Sequence, residues 1–258
     1  MPKLEIEQFA CLSDNYAVLI HDPEAGVTAS IDAPDAKAIL ARLKAKDWKL
    51  THLLNTHHHG DHTGGNLQLK EATGCSIIGP KAEAERIPGI DREVEEGDVV
   101  AFGNFEIKVL ETPGHTLGHV SYFIPAAKIA FVGDTLFAMG AGRIFEGSAE
   151  MMWKSLQKIM KLPRDMEIYC GHEYTQSNAR FALTLEPNNL ALINRAKEVD
   201  RLREENKPTL PTRLDRELET NPFLRPNVTA IRAKLGMLYA PDWHVFAAIR
   251  ERKNKNKS

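Results

Sequence analysis

Cysteine is scarce in this chain: Cys11, Cys75 and Cys170 stand far apart with no CxxC pair, and three is an odd count. No disulfide framework follows from them. Long apolar runs are also missing, and none approaches the ~20 residues that span a bilayer. The start, MPKLEIEQFACL, alternates acidic and apolar residues and lacks the basic stretch and apolar core of a signal peptide. Neither sign of charge dominates: 33 Lys and Arg against 35 Asp and Glu leave −2. That balance argues against a protein that lives on phosphate backbones or acidic lipid. Internal repeats and low-complexity segments are absent, and 17 Gly with 14 Pro exclude collagen-like and disordered readings. A soluble cytoplasmic protein is expected, with 258 residues enough for one large domain or a medium one with an appendage.

The first two thirds read as short strands between turns. Residues 4–12 and 16–21 are expected to pair across Ser13-Asp14-Asn15, and 27–32 to end at Ala33-Pro34. A helix over 35–46 follows, with Asp35 as its N-cap and Ile39, Leu40 and Leu43 at helical spacing. Further strands are expected at 50–56, 75–79, 99–102, 105–111, 120–124, 128–132 and 167–170, with Gly103-Asn104 as a hairpin turn. Met151, Met152 and Met160 lie on a helix over 149–162 as packing residues. After about residue 173 the 3.6 period takes over: Leu192, Ala196, Val199, Leu202, then Val228, Ile231, Leu235, then Val245, Phe246, Ile249. The end, RKNKNKS, reads as a basic tail, frayed beyond Lys253.

Chemistry concentrates at Thr56-His57-His58-His59-Gly60-Asp61-His62, directly after an apolar strand. Four histidines and an aspartate at this density point to a metal site, since neutral imidazole nitrogen and carboxylate oxygen suit Zn(II), Mn(II) or Fe(II). An extended stretch puts His57 and His59 on one side and His58 on the other. Gly60 permits a sharp turn that aims Asp61 and His62 back at the same place. Further donors follow in Gly114-His115, Gly133-Asp134 and Gly171-His172, each at the end of an expected strand. His119 reads as core support, and Cys170 as buried, its neighbour His172 being the better ligand.

These motifs resemble the metallo-β-lactamase superfamily over about residues 4–173. Within it, Ser13-Asp14-Asn15-Tyr16, THHHGDHTGGN (56–66), ETPGHTLGH (111–119), GDTLFAMGAGRIFEG (133–147), CGHEYT (170–175) and NPFLR (221–225) resemble the glyoxalase II (hydroxyacylglutathione hydrolase) family over essentially the whole chain. The resemblance implies an α/β (α+β) protein: a four-layer αββα sandwich over 1–173 with a small helical domain over 174–258 that binds substrate. It implies that His57, His59 and His115 hold one metal, that Asp61, His62 and His172 hold a second, and that Asp134 bridges them. Two divalent ions are expected, Zn(II) foremost with Fe and Mn also suited, and Asp61 and Asp134 are thereby catalytic. Water shared by two dications ionises near neutral pH, so no serine or cysteine nucleophile is required.

The implied reaction is hydrolysis of S-(2-hydroxyacyl)glutathione, such as S-D-lactoylglutathione, to glutathione and a 2-hydroxy acid, as in methylglyoxal detoxification. The implied partner is this small thioester alone, with no nucleic acid or membrane, and the chain is expected to act as a monomer. Substrate contacts implied by the resemblance are Arg143, Tyr174, Arg250 and Lys253. Spacing alone makes Arg250 and Lys253 solvated charges on one exposed helical face. Arg143 stands where many relatives carry Lys, and Phe145 where some carry Tyr. Within the superfamily, Asp134 argues against a β-lactamase, which usually has Cys there. The near-neutral charge argues against a nuclease, and His59 with the chain length against a flavodiiron enzyme.

Overall fold

The structure, a computed structural model, describes residues 3–256. Contacts separate these residues into two compact units: the chain up to Glu111 with Leu117–Gly133, and Thr112–Thr116 with the chain from Asp134 on. The first unit begins with β1 (Glu5–Cys11) and β2 (Asn15–Asp22), antiparallel with Cys11 opposite Asn15 across the expected turn. Then β3 (Val27–Ile31) joins antiparallel, and β4 (Leu50–Leu54), β5 (Ser76–Pro80) and β6 (Arg92–Val94) follow in parallel. Parallel neighbours need crossovers. One is α1 (Ala36–Lys46), whose N-cap Asp35 accepts from the Lys37 and Ala38 amides. The next holds a single turn, α2 (Gly60–Thr63), and α3 (Asn66–Thr73).

Ile39 and Leu43 of α1 and Leu69 of α3 pack with Ala17, Leu19, Leu53 and Ile77 of this sheet. Val18 and Ile20, alternating with Ala17 and Leu19, are equally buried, so the sheet is covered on both faces. The second cover is an antiparallel set, β7 (Val99–Phe102), β8 (Phe105–Glu111), β9 (Val120–Ile124) and β10 (Ile129–Phe131). Gly103-Asn104 turns β7 into β8 as expected, with Phe102 opposite Phe105. Tyr122 of β9 donates its hydroxyl to the Asn55 carbonyl at 2.8 Å, and His52 of β4 meets the Phe102 ring edge-on at 5.7 Å. These contacts lock sheet to sheet just below the His-rich loop.

The second unit opens with a small hairpin, β11 (Leu136–Phe137) and β12 (Gly140–Ala141), followed by α4 (Ala149–Met160). Then come β13 (Glu167–Tyr169), α5 (Thr175–Leu185), α6 (Leu190–Glu204), β14 (Thr212–Arg213), α7 (Leu214–Thr220), α8 (Thr229–Leu235) and α9 (Asp242–Lys255). The three expected C-terminal periodic stretches are α6, α8 and α9, whereas α5 and α7 were not anticipated. Nor does the end fray directly after Lys253: α9 runs on to Lys255, while Lys257 and Ser258 lie outside the described residues. Among the described residues, no helix is long and apolar enough to cross a membrane.

A buried carboxylate organises this unit. Glu217 of α7 pairs with Arg195 of α6 and accepts from Thr212 Oγ1 at 2.7 Å, the Met139 amide at 2.8 Å and Asn221 Nδ2 at 3.0 Å. Asn221, from the NPFLR segment, also donates to the Gly140 carbonyl at 2.9 Å, and Asn178 of α5 to the Ala138 carbonyl at 3.1 Å. The β11–β12 hairpin is therefore held by α5, α7 and the segment after it. Removing one member of a buried ion pair strands the other charge. We expect Arg195→Met to lower unfolding free energy by about 3–5 kcal/mol, read from urea midpoints at unchanged m-value.

Candidate metal centre

In the first unit the His-rich loop leaves β4 through Asn55 and Thr56, and its geometry is set by Asp32. This residue follows β3 in the left-handed region at φ 57° and is buried. Its Oδ1 accepts the Thr56 amide at 2.7 Å; its Oδ2 accepts the Thr56 hydroxyl at 2.8 Å and His62 Nδ1 at 2.8 Å. A carboxylate only accepts, so the His62 proton sits on Nδ1 and the lone pair on Nε2. Thr56 has given its one proton to Asp32, so at 3.0 Å it accepts from His57 Nδ1, and His57 likewise presents Nε2. That Nε2 faces His59 Nδ1 at 3.0 Å. Asp61 is steadied by Asn15, whose amide donates to Oδ2 at 3.0 Å and to the backbone carbonyl at 3.2 Å.

His58 points the other way, as alternation predicts, and its Nδ1 donates to Glu83 at 2.8 Å. His119 is buried and stacks on His57, centroids 5.0 Å apart. The role foreseen for Gly60 needs correction. It opens α2 without a positive φ, and a Cβ there would meet nothing within 4 Å. Glycine is required instead at Gly133, φ 47°, where a Cβ would stand 2.6 Å from both His119 Nε2 and Thr56 Oγ1.

In the second unit Gly114, φ 145°, passes so close to α4 that a Cβ would lie 2.5 Å from Met152 Cβ. His115, next in the chain, donates Nδ1–H to the Arg143 carbonyl at 2.8 Å, which leaves its Nε2 as the ligand atom. His115 Nε2 stands 3.4 Å from Asp134 Oδ2, and His172 Nε2 stands 3.4 Å from the same oxygen. These separations exceed good N–H···O hydrogen bonds. They match the spacing of donors about 2.0–2.1 Å from one tetrahedral ion, which stand about 3.3–3.4 Å apart. The donor set, imidazole and carboxylate with oriented tautomers, therefore fits a divalent cation. Tyr174 lies parallel to the His172 ring at 4.8 Å, and Phe145, 62% exposed, meets His115 edge-on at 5.2 Å.

A second feature of this unit is a set of cations. Arg250 of α9 is only 7% exposed, which corrects its reading as a solvated charge. Its guanidinium donates to the Ala141 carbonyl at 2.6 Å and to Asn254 Oδ1 at 2.9 Å, and lies 5.0 Å from the Phe223 ring. Lys253, half-buried, donates to Ser177 Oγ at 2.7 Å and the Ser177 carbonyl at 3.0 Å. Burial, aided by the Arg143 charge, lowers the Arg250 pKa to about 10. Burial, then the charges of Arg250 and Arg143, lowers Lys253 to about 8. Arg143 itself is exposed. Among the described residues Arg250 and Lys253 have no carboxylate partner, so this cluster is an electropositive patch suited to an anion.

Sequence reasoning missed Asp32, Thr56, Asn15 and Glu83, which aim or anchor the loop. Asn15 and Thr56 lie inside motifs already marked, and Asp32 had a signal of its own: a carboxylate closing an apolar strand, where a buried charge needs partners.

Residues 22–172 match the model of the metallo-beta-lactamase superfamily, and residues 173–256 that of the hydroxyacylglutathione hydrolase C-terminus. A hydroxyacylglutathione hydrolase of Brucella anthropi is 59% identical over 253 residues, 98% of this chain and 97% of that one. The solved structure of ETHE1 from Myxococcus xanthus superposes with a TM-score of 0.67 at 24% identity, covering 96% of this chain and 98% of that one. TTHA1623 in a di-iron-bound form gives 0.57 at 26% identity, over 67% of this chain and 91% of that one. With both segments matched in order and a relative this similar end to end, the chain belongs to the hydroxyacylglutathione hydrolase family of the metallo-β-lactamase superfamily.

Proposed function

We propose that the chain hydrolyses S-(2-hydroxyacyl)glutathione thioesters, such as S-D-lactoylglutathione, to glutathione and a 2-hydroxy acid. In this reading His57, His59 and His115 hold one divalent ion, Asp61, His62 and His172 a second, and Asp134 both. Residues 1–173 supply the chemistry and 174–258 the grip on substrate. The observation that carries it is Asp134 Oδ2, 3.4 Å from two histidine nitrogens that belong to different proposed ions. Zn(II) is the ion proposed; the same donors suit Fe and Mn, and the di-iron form of TTHA1623 supports a paired site.

When bound, two such ions ionise a water near neutral pH and polarise the acyl carbonyl. The chain's task is to aim donors and to hold the thioester. Asp32, the Thr56 hydroxyl and the Arg143 carbonyl fix the protons of His62, His57 and His115 on the ring nitrogens turned away from the site. Glutathione carries two carboxylates; Arg250 and Lys253 offer positive charge that is already partly desolvated and hence strong, and exposed Arg143 adds a solvated charge. Tyr174, stacked on His172, gives a flat wall beside it. A thiolate whose conjugate acid has a pKa of about 8.5 leaves without strong acid assistance, so no further proton donor is needed.

We expect exhaustive chelation to remove thioesterase activity and Zn(II) to restore it, and Asp134→Ala to lower kcat by about three orders of magnitude or more. Steady-state assay with elemental analysis checks both. Arg250→Ala should raise KM for S-D-lactoylglutathione by about tenfold, more than it lowers kcat; an unchanged KM rejects the contact. Lys253 is charged below pH 8 and neutral above it, so kcat/KM should fall as pH rises through about 8. In Lys253→Arg, which keeps its charge, that fall should be absent.

A further inference from the structure

We propose that Glu83 is a positioning residue for the metal site: a buried carboxylate that sets the separation of His57 and His59 by gripping the residue between them. The inference rests on the metal-binding reading above. Glu83 lies in a short 3-10 helix, Lys81–Arg86, after β5, and is 1% exposed. Its Oε2 accepts both the His58 amide at 2.7 Å and His58 Nδ1 at 2.8 Å, and its Oε1 accepts the Gly118 amide at 2.9 Å. Arg86 stands 3.7 Å away from Oε1. So two stretches of backbone, one inside the His-rich loop and one just before His119, are held by a single side chain.

The grip bears on the ligands for a geometric reason. His57 and His59 share a side only while the backbone at His58 stays extended and turned outward. Glu83 holds the amide and the ring of His58, and Thr63 Oγ1 donates to the His58 and His59 carbonyls at 3.2 and 3.1 Å. With both ends of the His58 peptide segment fixed, the His57 Nε2 to His59 Nδ1 separation stays at 3.0 Å. On its other side Glu83 fixes Gly118, and the next residue, His119, carries the ring on which His57 stacks. The fit is close: a Cβ at Gly118 would lie 2.5 Å from Glu83 Cγ and 2.8 Å from Ala82 Cβ. A glycine here admits the carboxylate to both backbones.

Glutamine at this position offers one accepting oxygen and one NH2, so either the Gly118 amide or the two His58 donors must face another donor. The test is a titration of chelator-stripped protein with Zn(II) in competition with a chromophoric chelator. Glu83→Gln should weaken Zn(II) binding about 10–100-fold, with kcat falling and KM for the thioester moving less than twofold. Glu83→Asp, which keeps both oxygens but is one methylene shorter, should fall between it and the parent. Should Glu83→Gln fail to fold, Glu83→Asp is read alone. Parent-like Zn(II) affinity in a folded variant, or a KM change at constant kcat, overturns the proposal, as does failure of both variants to fold. If the parent itself takes up no Zn(II), it is the metal reading that falls.

Discussion

An imidazole can hold a cation only through the ring nitrogen that lacks a proton, and the proton is placed by whatever the opposite nitrogen touches. Three such placements stand behind the site: Asp32 on His62, the Thr56 hydroxyl on His57, and the Arg143 carbonyl on His115. Each is a short contact from an acceptor that is buried or part of the backbone, so side-chain motion does little to blur it. The strand ends supply the rigidity. Asp32 follows β3 and Thr56 follows β4, neighbouring strands in parallel register, so their two side chains meet as a consequence of the sheet itself.

The buried cations of α9 are held differently. Arg250 and Lys253 lie on α9 among apolar rings, Phe223 and Phe181, and their hydrogen bonds go to neutral oxygens. Desolvation without compensation costs stability, and the depressed pKa values register that cost. Helix α9 has a basic last turn that the helix dipole favours, which helps it to carry such charge.

Much of this was legible from residue order. The first five strands, the α1 cap at Asp35 and the hairpin at Gly103-Asn104 were legible from residue pattern and turn chemistry, because each is a local effect; β6 was not anticipated. The density of histidine in 57–62 marked the chemistry. What stayed hidden was long-range: Asp32 meets His62 thirty residues later, and Glu83 reaches back twenty-five residues to His58. Neither pattern has a period. The burial of Arg250 was invisible for a similar reason, since a charge on a helix reads as solvated until the partner helices are known. Gly60 misled because a glycine beside ligands reads as a tight turn, whereas here the chain simply enters a helical turn.

Asn221 and Glu217 hold the hairpin that follows Asp134 by its backbone, at Gly140 and Met139. Arg250 does the same at Ala141, one position before the glycine that leads into Arg143. The late segments therefore brace the hairpin that follows Asp134, besides carrying the buried cations of α9. Exchanging that segment for another, to change what is recognised, would also loosen the catalytic scaffold. Even on α9 itself a change at Arg250 would remove one of these braces, whereas Lys253, bonded to Ser177 and not to the hairpin, stands apart from them.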